Sequence, residues 1–276
     1  MTTRRALLTA TLFAAPTSLL LSEPARAALP TVDMEALLKA VQWDPVKLDT
    51  GITAGAGASV LQVEKALVAK GLLAASYADG HYGRRTVAAY KAWQESLGYS
   101  GIGANGIPGP ASLAALATNR FTVVRPLAPG AKVAFRGVTI NSRTRAMLLA
   151  AEGKLGFTFV MEQGSYNPGG DVTSAGTHDG GGVVDLDVVA LTSSQRTAAA
   201  TALRQAGFAA WVRSPAMGNW DWHIHAVAIS DTDLAPQAQK QVGAYYEGRN
   251  GLANNAVDDG PKVTKVTWEE YQRSLA

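Results

Sequence analysis

The chain has no cysteine and only four histidines in its 276 residues. Without cysteine there is no disulfide, no thiolate metal ligand and no cysteine nucleophile, so a tight metal site has to be built from imidazole and carboxylate. Charge is scarce as well: 17% of residues are charged and the net charge is only +3. No run of consecutive basic residues follows the N-terminus, which argues against phosphate-backbone binding and hence against a nucleic-acid partner. Long apolar runs are missing except for Ala6 to Leu21, which Pro16 interrupts and which is shorter than the ~20 residues a spanning helix needs. What is abundant is apolar content, 47%. At this length it suffices for two domains whose cores need no crosslinks.

The apolar run follows Met1-Thr2-Thr3-Arg4-Arg5, and Ala25-Arg26-Ala27 places small residues at both positions a signal peptidase reads. Residues 1–27 therefore read as an export signal cut after Ala27, and the paired arginines point to the twin-arginine route. The mature protein is expected to be secreted, monomeric and free of any stable membrane span.

Residues 28–54 read as a lead-in, with one short helix carrying Leu37, Leu38 and Val41 on one face, followed by a Gly/Ala-rich linker. From Ser59 the pattern tightens. Ser59 and Gln62 have capping-box spacing, Val60, Val63 and Leu67 form a helical stripe, and Gly71 ends the helix. An internal repeat follows, because Asp79-Gly80-His81-Tyr82-Gly83-Arg84-Arg85-Thr86 is echoed by Asn105-Gly106-Ile107-Pro108-Gly109-Pro110-Ala111-Ser112. Each copy supplies a positive-φ turn and then opens a helix, with Pro110 at a first helical position. Between the copies Val87, Tyr90, Trp93 and Leu97 recur at helical spacing.

Those residues, with Leu61-Gln62, Gly71, Trp93-Gln94 and Leu116, resemble a peptidoglycan-binding domain of the three-helix type over residues 55–118. The resemblance implies a small all-α bundle and a peptidoglycan partner, and hence a wall-associated protein. His81, inside the first turn, is read as structural.

Residues 119–131 form a proline-containing linker, and a second unit spans 132–276. Its expected elements alternate: extended Lys132 to Ile140, a helix from Ser142 to Leu155, extended Phe157 to Met161, a strand from Val183 to Leu191, a helix from Ser194 to Gln205, a strand from Ile224 to Ile229 and a helix from Pro236 to Tyr246. That order predicts an α+β domain with a mainly antiparallel sheet.

Three of the four histidines fall in two segments of this unit, Thr177-His178-Asp179-Gly180-Gly181-Gly182-Val183-Val184-Asp185 and Trp222-His223-Ile224-His225. Side chains two apart on a strand share a face, which pairs His223 with His225 and Asp185 with Asp187. If the strands are neighbours, Asp185 and His225 converge, and His178 joins them from a glycine-rich loop. Two imidazoles and one carboxylate suit Zn²⁺ with a coordination position left for water, whose pKa the ion lowers to ~7.

The spacing His178-x6-Asp185 with His223-x-His225 is similar to the D-Ala-D-Ala metallopeptidase group, which includes D,D-carboxypeptidases, lysostaphin-like endopeptidases and the hedgehog fold. The resemblance covers residues 135–230. It implies His178, Asp185 and His225 as zinc ligands, His223 as the group that activates water or stabilises an oxyanion, and Asp187 as a partner of the ligands. Two departures stand out. Many members carry an acidic residue three before the last ligand, where this chain has Trp222, so Asp221, one residue further back, competes with His223 for the role of base. Members also place an arginine on the strand before the first histidine. Gln163 stands there and can hydrogen-bond a carbonyl but brings no charge, which favours endopeptidase over carboxypeptidase. Arg213 reads as a surface residue, Trp220 and Trp222 as sheet packing, and Tyr166 as open between packing and cleft. The expected function is an exported zinc peptidase of peptidoglycan stem peptides or crosslinks. The alternative is a zinc-containing wall-binding protein without turnover.

Overall fold

The computed structural model describes residues 28–47 and 51–276. The export signal read at 1–27 lies outside the described residues. Among them no helix is long and apolar enough to cross a membrane.

The first half begins with strand β1 (Thr31–Asp33) and helix α1 (Met34–Trp43). The Asp33 carboxylate caps α1 by accepting the Glu35 and Ala36 N–H groups. Helices α2 (Gly57–Ala69), α3 (Arg84–Ser96) and α4 (Pro110–Ala117) follow, then strand β2 (Thr122–Val124). Helix α2 starts two residues before Ser59 and has no side-chain cap. The expected capping box is not formed, because the Ser59 hydroxyl instead accepts the Asp33 N–H at 3.0 Å and ties β1 to α2. Gly71 does end α2: at φ +73° it lets its own N–H reach Val68 and that of Leu72 reach Leu67.

The two turn copies are built alike. Gly80 and Gly106 take φ of +86° and +80°, and in each copy a buried side chain of the preceding helix accepts the glycine N–H. In the first copy Glu64 of α2 also takes the Asp79 N–H and the Thr86 hydroxyl. In the second, Gln94 of α3 donates to the Ile107 carbonyl at 2.9 Å.

The second half opens with a hairpin of β3 (Lys132–Phe135) and β4 (Val138–Asn141). The run read as one extended segment is folded back at Arg136-Gly137, both of positive φ, as a two-residue hairpin turn requires. Helix α5 (Ser142–Glu152) is capped by Asn141, and α6 (Ser193–Gln205) by a Thr192–Gln195 box. Strands β5 (Val160–Gln163), β6 (Val183–Asp187), β7 (Phe208–Arg213) and β8 (His223–Ala228) make one antiparallel sheet in the order β5-β6-β8-β7. Helices α7 (Pro236–Tyr246) and α8 (Trp268–Ser274) complete the unit. Strand β7 and helix α8 are additions to the elements expected from sequence.

The sheet faces divide the labour. Leu186, Ile224 and Ala210 point into a core shared with α5 and α6. On the other face Val183, Val227 and Ala209 form one register row, packed in a cluster with Ala238, Val242 and Tyr245 of α7. The next row along is Asp185, His225 and Trp211, and the one after that Asp187, His223 and Arg213.

The segments expected as lead-in and linker are packed parts of the fold. β1 and β2 pair in parallel, and Leu37, Leu38 and Val41 of α1 are fully buried in the same apolar cluster as α2–α4 and α7. Polar bonds stitch the halves together: Asn105 donates to the Thr232 and Leu234 carbonyls, and Gln239 to that of Val41.

Glu64 gives a pH test of the first turn. Burial pushes its carboxyl up to about 7, against the lowering effect of the Gly80 N–H and the Thr86 hydroxyl. The folded protein then keeps a proton that the unfolded chain releases above its ordinary value, so the Glu64 contribution to stability is full below about pH 4.5 and is lost as pH rises through 7. The loss is at most about 3 kcal/mol. Glu64→Gln, copying the Gln94 arrangement, should flatten this dependence in urea unfolding midpoints between pH 5 and 8. Equal slopes for the two proteins would refute it.

Candidate metal centre

Strand β5 does not run straight into the site. Its register passes from Met161 opposite Leu186 to Gln163 opposite Asp185, so Glu162 is the extra residue of a β-bulge. The bulge puts both Glu162 and Gln163 in the lining of a cleft of about 280 Å³. The loop after β5 returns over the sheet and places His178 in a short 3-10 turn, Thr177–Asp179. The glycines after it serve close packing more than freedom of the loop. A Cβ on Gly180 would lie 2.2 Å from the Asp233 carbonyl, and Gly182, at φ +76°, sits against Asp231.

His178, Asp185 and His225 converge as expected. All three are buried, and their ligand atoms lie within 4.8 Å of one another, a cluster able to hold a metal ion. Donors around a tetrahedral zinc-sized ion stand about 3.4 Å apart at bonds of about 2.1 Å. Here Nε2 of His178 is 3.1 Å from Asp185 Oδ2, and Nδ1 of His225 is 2.7 Å from Asp185 Oδ1.

The outer nitrogens decide what the inner ones are. Nδ1 of His178 lies 2.8 Å from the Gly164 carbonyl, and Nε2 of His225 lies 2.8 Å from Oε1 of Gln241. Both partners are acceptors, so both outer nitrogens carry the proton. In the neutral rings the inner nitrogens then present lone pairs to a carboxylate that also has only lone pairs. Nε2 of His178 is indeed buried with no hydrogen bond of acceptable geometry. Acceptors facing acceptors repel unless a cation stands among them, and this donor set fits a divalent ion.

The titration shifts express the same conflict. Burial would raise the Asp185 carboxyl, but His225 and His178 hold it well below the usual carboxylate range. Burial pulls the His178 imidazole down, yet Asp185 and the Gly164 carbonyl leave it above its ordinary value. At His225 burial prevails and the shift is downward.

The remaining expected residues separate. His223 lies in the cleft, with Nδ1 3.0 Å from the Asp221 carbonyl, which leaves Nε2 as the other functional nitrogen. The Gln163 side chain accepts the Ser174 hydroxyl at 2.9 Å, while its Nε2 is buried without a partner. The Asp221 side chain is exposed and does not line the cleft, because β8 begins at His223 and strand alternation does not reach back through the preceding turn. Asp187 is exposed too, and its carboxylate accepts the Val189 N–H. Trp220 lines the cleft, whereas Trp222 packs with the α5–α6 core. Tyr166 is outside the cleft lining and donates to Asp233 at 2.6 Å.

Three contributors went unnoticed or misjudged. Arg213, read as a surface residue, is 3% exposed, lines the cleft and donates to the Asn250 carbonyl. Burial brings its guanidinium down to about 10. Glu162 is the carboxylate of the cleft beyond Asp185 and Asp171, and burial raises it against the pull of His223. Gln241, on α7, orients His225 while donating to the Gly251 carbonyl at 3.3 Å. The charge on Arg213 and Glu162 was visible in the sequence, but neither the bulge nor β7 was.

A scan against family models and searches of curated proteins and of solved structures find no match.

Because Gln241 fixes the ring that presents Nδ1, Gln241→Leu should weaken divalent-metal affinity by about 10- to 100-fold. Asp185→Asn should weaken it further. Competition with a coloured chelator measures both, and unchanged affinity in Gln241→Leu would remove Gln241 from this role.

Proposed function

We propose that the protein is an exported, wall-associated zinc peptidase that hydrolyses amide bonds of peptidoglycan stem peptides or crosslinks, as a D,D-carboxypeptidase or an endopeptidase. One observation carries this reading: two imidazole nitrogens, each backed by a carbonyl oxygen on its far side, and one carboxylate face each other in a cleft that also holds His223, Glu162 and an unpartnered amide. Zinc held by His178, Asp185 and His225 would polarise an amide carbonyl and make water acidic enough to react near neutral pH.

The chain's own groups take the remaining tasks. Nε2 of Gln163 is a preformed donor for a carbonyl oxygen, buried and without competition. His223, held by the Asp221 carbonyl, presents Nε2 to the cleft and can pass a proton to the leaving amine. Glu162, an exposed carboxylate of the cleft lining, would take a proton from water, a task that the sequence alone left to Asp221 or His223. Arg213 brings the positive charge that Gln163 lacks, so a substrate carboxylate near the cleaved bond is accommodated and carboxypeptidase and endopeptidase action both stay open. The helices α2–α4, as a peptidoglycan-binding unit, would keep the cleft on its insoluble substrate, raising local concentration without altering the chemistry.

The test is incubation of the mature protein with peptidoglycan, with and without a chelator, followed by assay of new amines and released D-Ala. Chelator-sensitive release is expected. His223→Ala should lower it by about 100-fold or more and Glu162→Gln by at least about tenfold, with Asp221→Asn close to wild type. Bound zinc with no release under any condition would favour the wall-binding protein without turnover.

A further inference from the structure

A second groove, of about 560 Å³, adjoins the metal cleft and shares Thr177, Gln241 and Leu252 with it. It runs along α7, past Gln237, Lys240, Ala244 and Glu247, to Val46 and Arg84 of the first half. Its far wall is the loop that carries Arg249.

The charges on this groove are unbalanced. Arg84, Lys240 and Arg249 line it against one carboxylate, Glu247, which already accepts the Trp43 indole N–H. Among the described residues none of the three cations makes an ion pair. Arg84 is held toward the groove by its Nε bond to the Pro45 carbonyl at 3.2 Å. Gln241, the residue that orients His225, is among the residues common to both cavities, so a chain leaving the metal cleft on this side enters the groove that Lys240 and Arg249 line.

We infer that this groove binds an acidic peptide segment of the substrate, on the side of the cleaved bond that stays with the polymer, and that Arg84 makes the helical first half part of the substrate site itself. The inference rests on the peptidase reading for the word substrate, but its test does not. An extended peptide of three or four residues, at about 3.3 Å each, reaches from the cleft along α7 with its side-chain carboxylates beside the cations. Such rim charges act through unscreened attraction and weaken with salt.

The experiment measures equilibrium binding to metal-free protein, where no turnover occurs, by calorimetry at low salt. The probes are a peptidoglycan stem tetrapeptide with free side-chain carboxylates and the same peptide with those carboxylates amidated. The acid form should bind about tenfold more tightly. The preference should vanish in the double variant Arg84→Glu, Lys240→Glu and persist in Lys65→Glu, an exposed lysine of α2 away from the groove. Both groove residues are exposed, and a glutamate in the first turn of α3 suits the helix dipole, so the double variant should fold, as circular dichroism would verify. Equal affinity for the two peptides, including no binding of either, or a preference that survives the double variant, would overturn the inference. Charge-dependent binding, together with no chelator-sensitive release in the peptidoglycan assay, would leave the groove standing and remove only the peptidase reading.

Discussion

The structure turns on a repulsion. An ionised carboxylate and two imidazole nitrogens that are acceptors in the neutral rings are held together by a frame that leaves none of them an alternative partner. Asp185 and His225 are register neighbours on adjacent strands and cannot separate without breaking the sheet. His178 is fixed from behind by the Gly164 carbonyl. Such a cluster is tolerated only if a proton or a metal ion neutralises it, and a divalent ion does so at all three donors at once. A divalent ion bound there would be coupled to folding, since the frame assembles the cluster and the ion would relieve the repulsion of assembling it.

The same frame explains why the cleft sits where it does. One sheet face changes character along the strands, from the apolar row under α7, through the row of Asp185 and His225, to the row of His223 and Arg213. Helix α7 closes the apolar end and contributes Gln241 where it meets the row of Asp185 and His225. The bulge in β5 brings Glu162, which stays exposed, to the cleft lining beside Gln163, so the cleft has a carboxylate and an amide from consecutive residues. A regular strand would have offered one or the other.

How much of this was legible in the sequence follows from the kind of signal each part leaves. Period-two alternation put His223 and His225 on one face, and the glycine-rich approach brought His178 to Asp185. The turn copies and Pro110 marked the starts of α3 and α4. Alternation failed at Asp221, because a turn, not a strand, precedes His223. It failed at Glu162 because an inserted residue breaks the count. Strand β7 has buried residues on both faces, so no polar alternation announces it, and Arg213 at its end looked like any surface arginine. Gln241 carries no pattern at all. It is one polar residue on a helix, and only tertiary structure shows which imidazole it meets.

The position of α1 ties the first half to the sheet. Leu37, Leu38 and Val41 belong to one buried cluster with the bundle helices and with Val242 and Tyr245 of α7. A swing of the helical unit away from the sheet would expose these side chains, at roughly 1.5–3 kcal/mol for each fully buried large one, and would break the bonds from Asn105 and Gln239. A flexible tether would hold substrate near the cleft in any orientation. A packed one holds Arg84 at a fixed place beside α7, so a polymer bound by the first half, as proposed, would approach the candidate metal centre from one direction only.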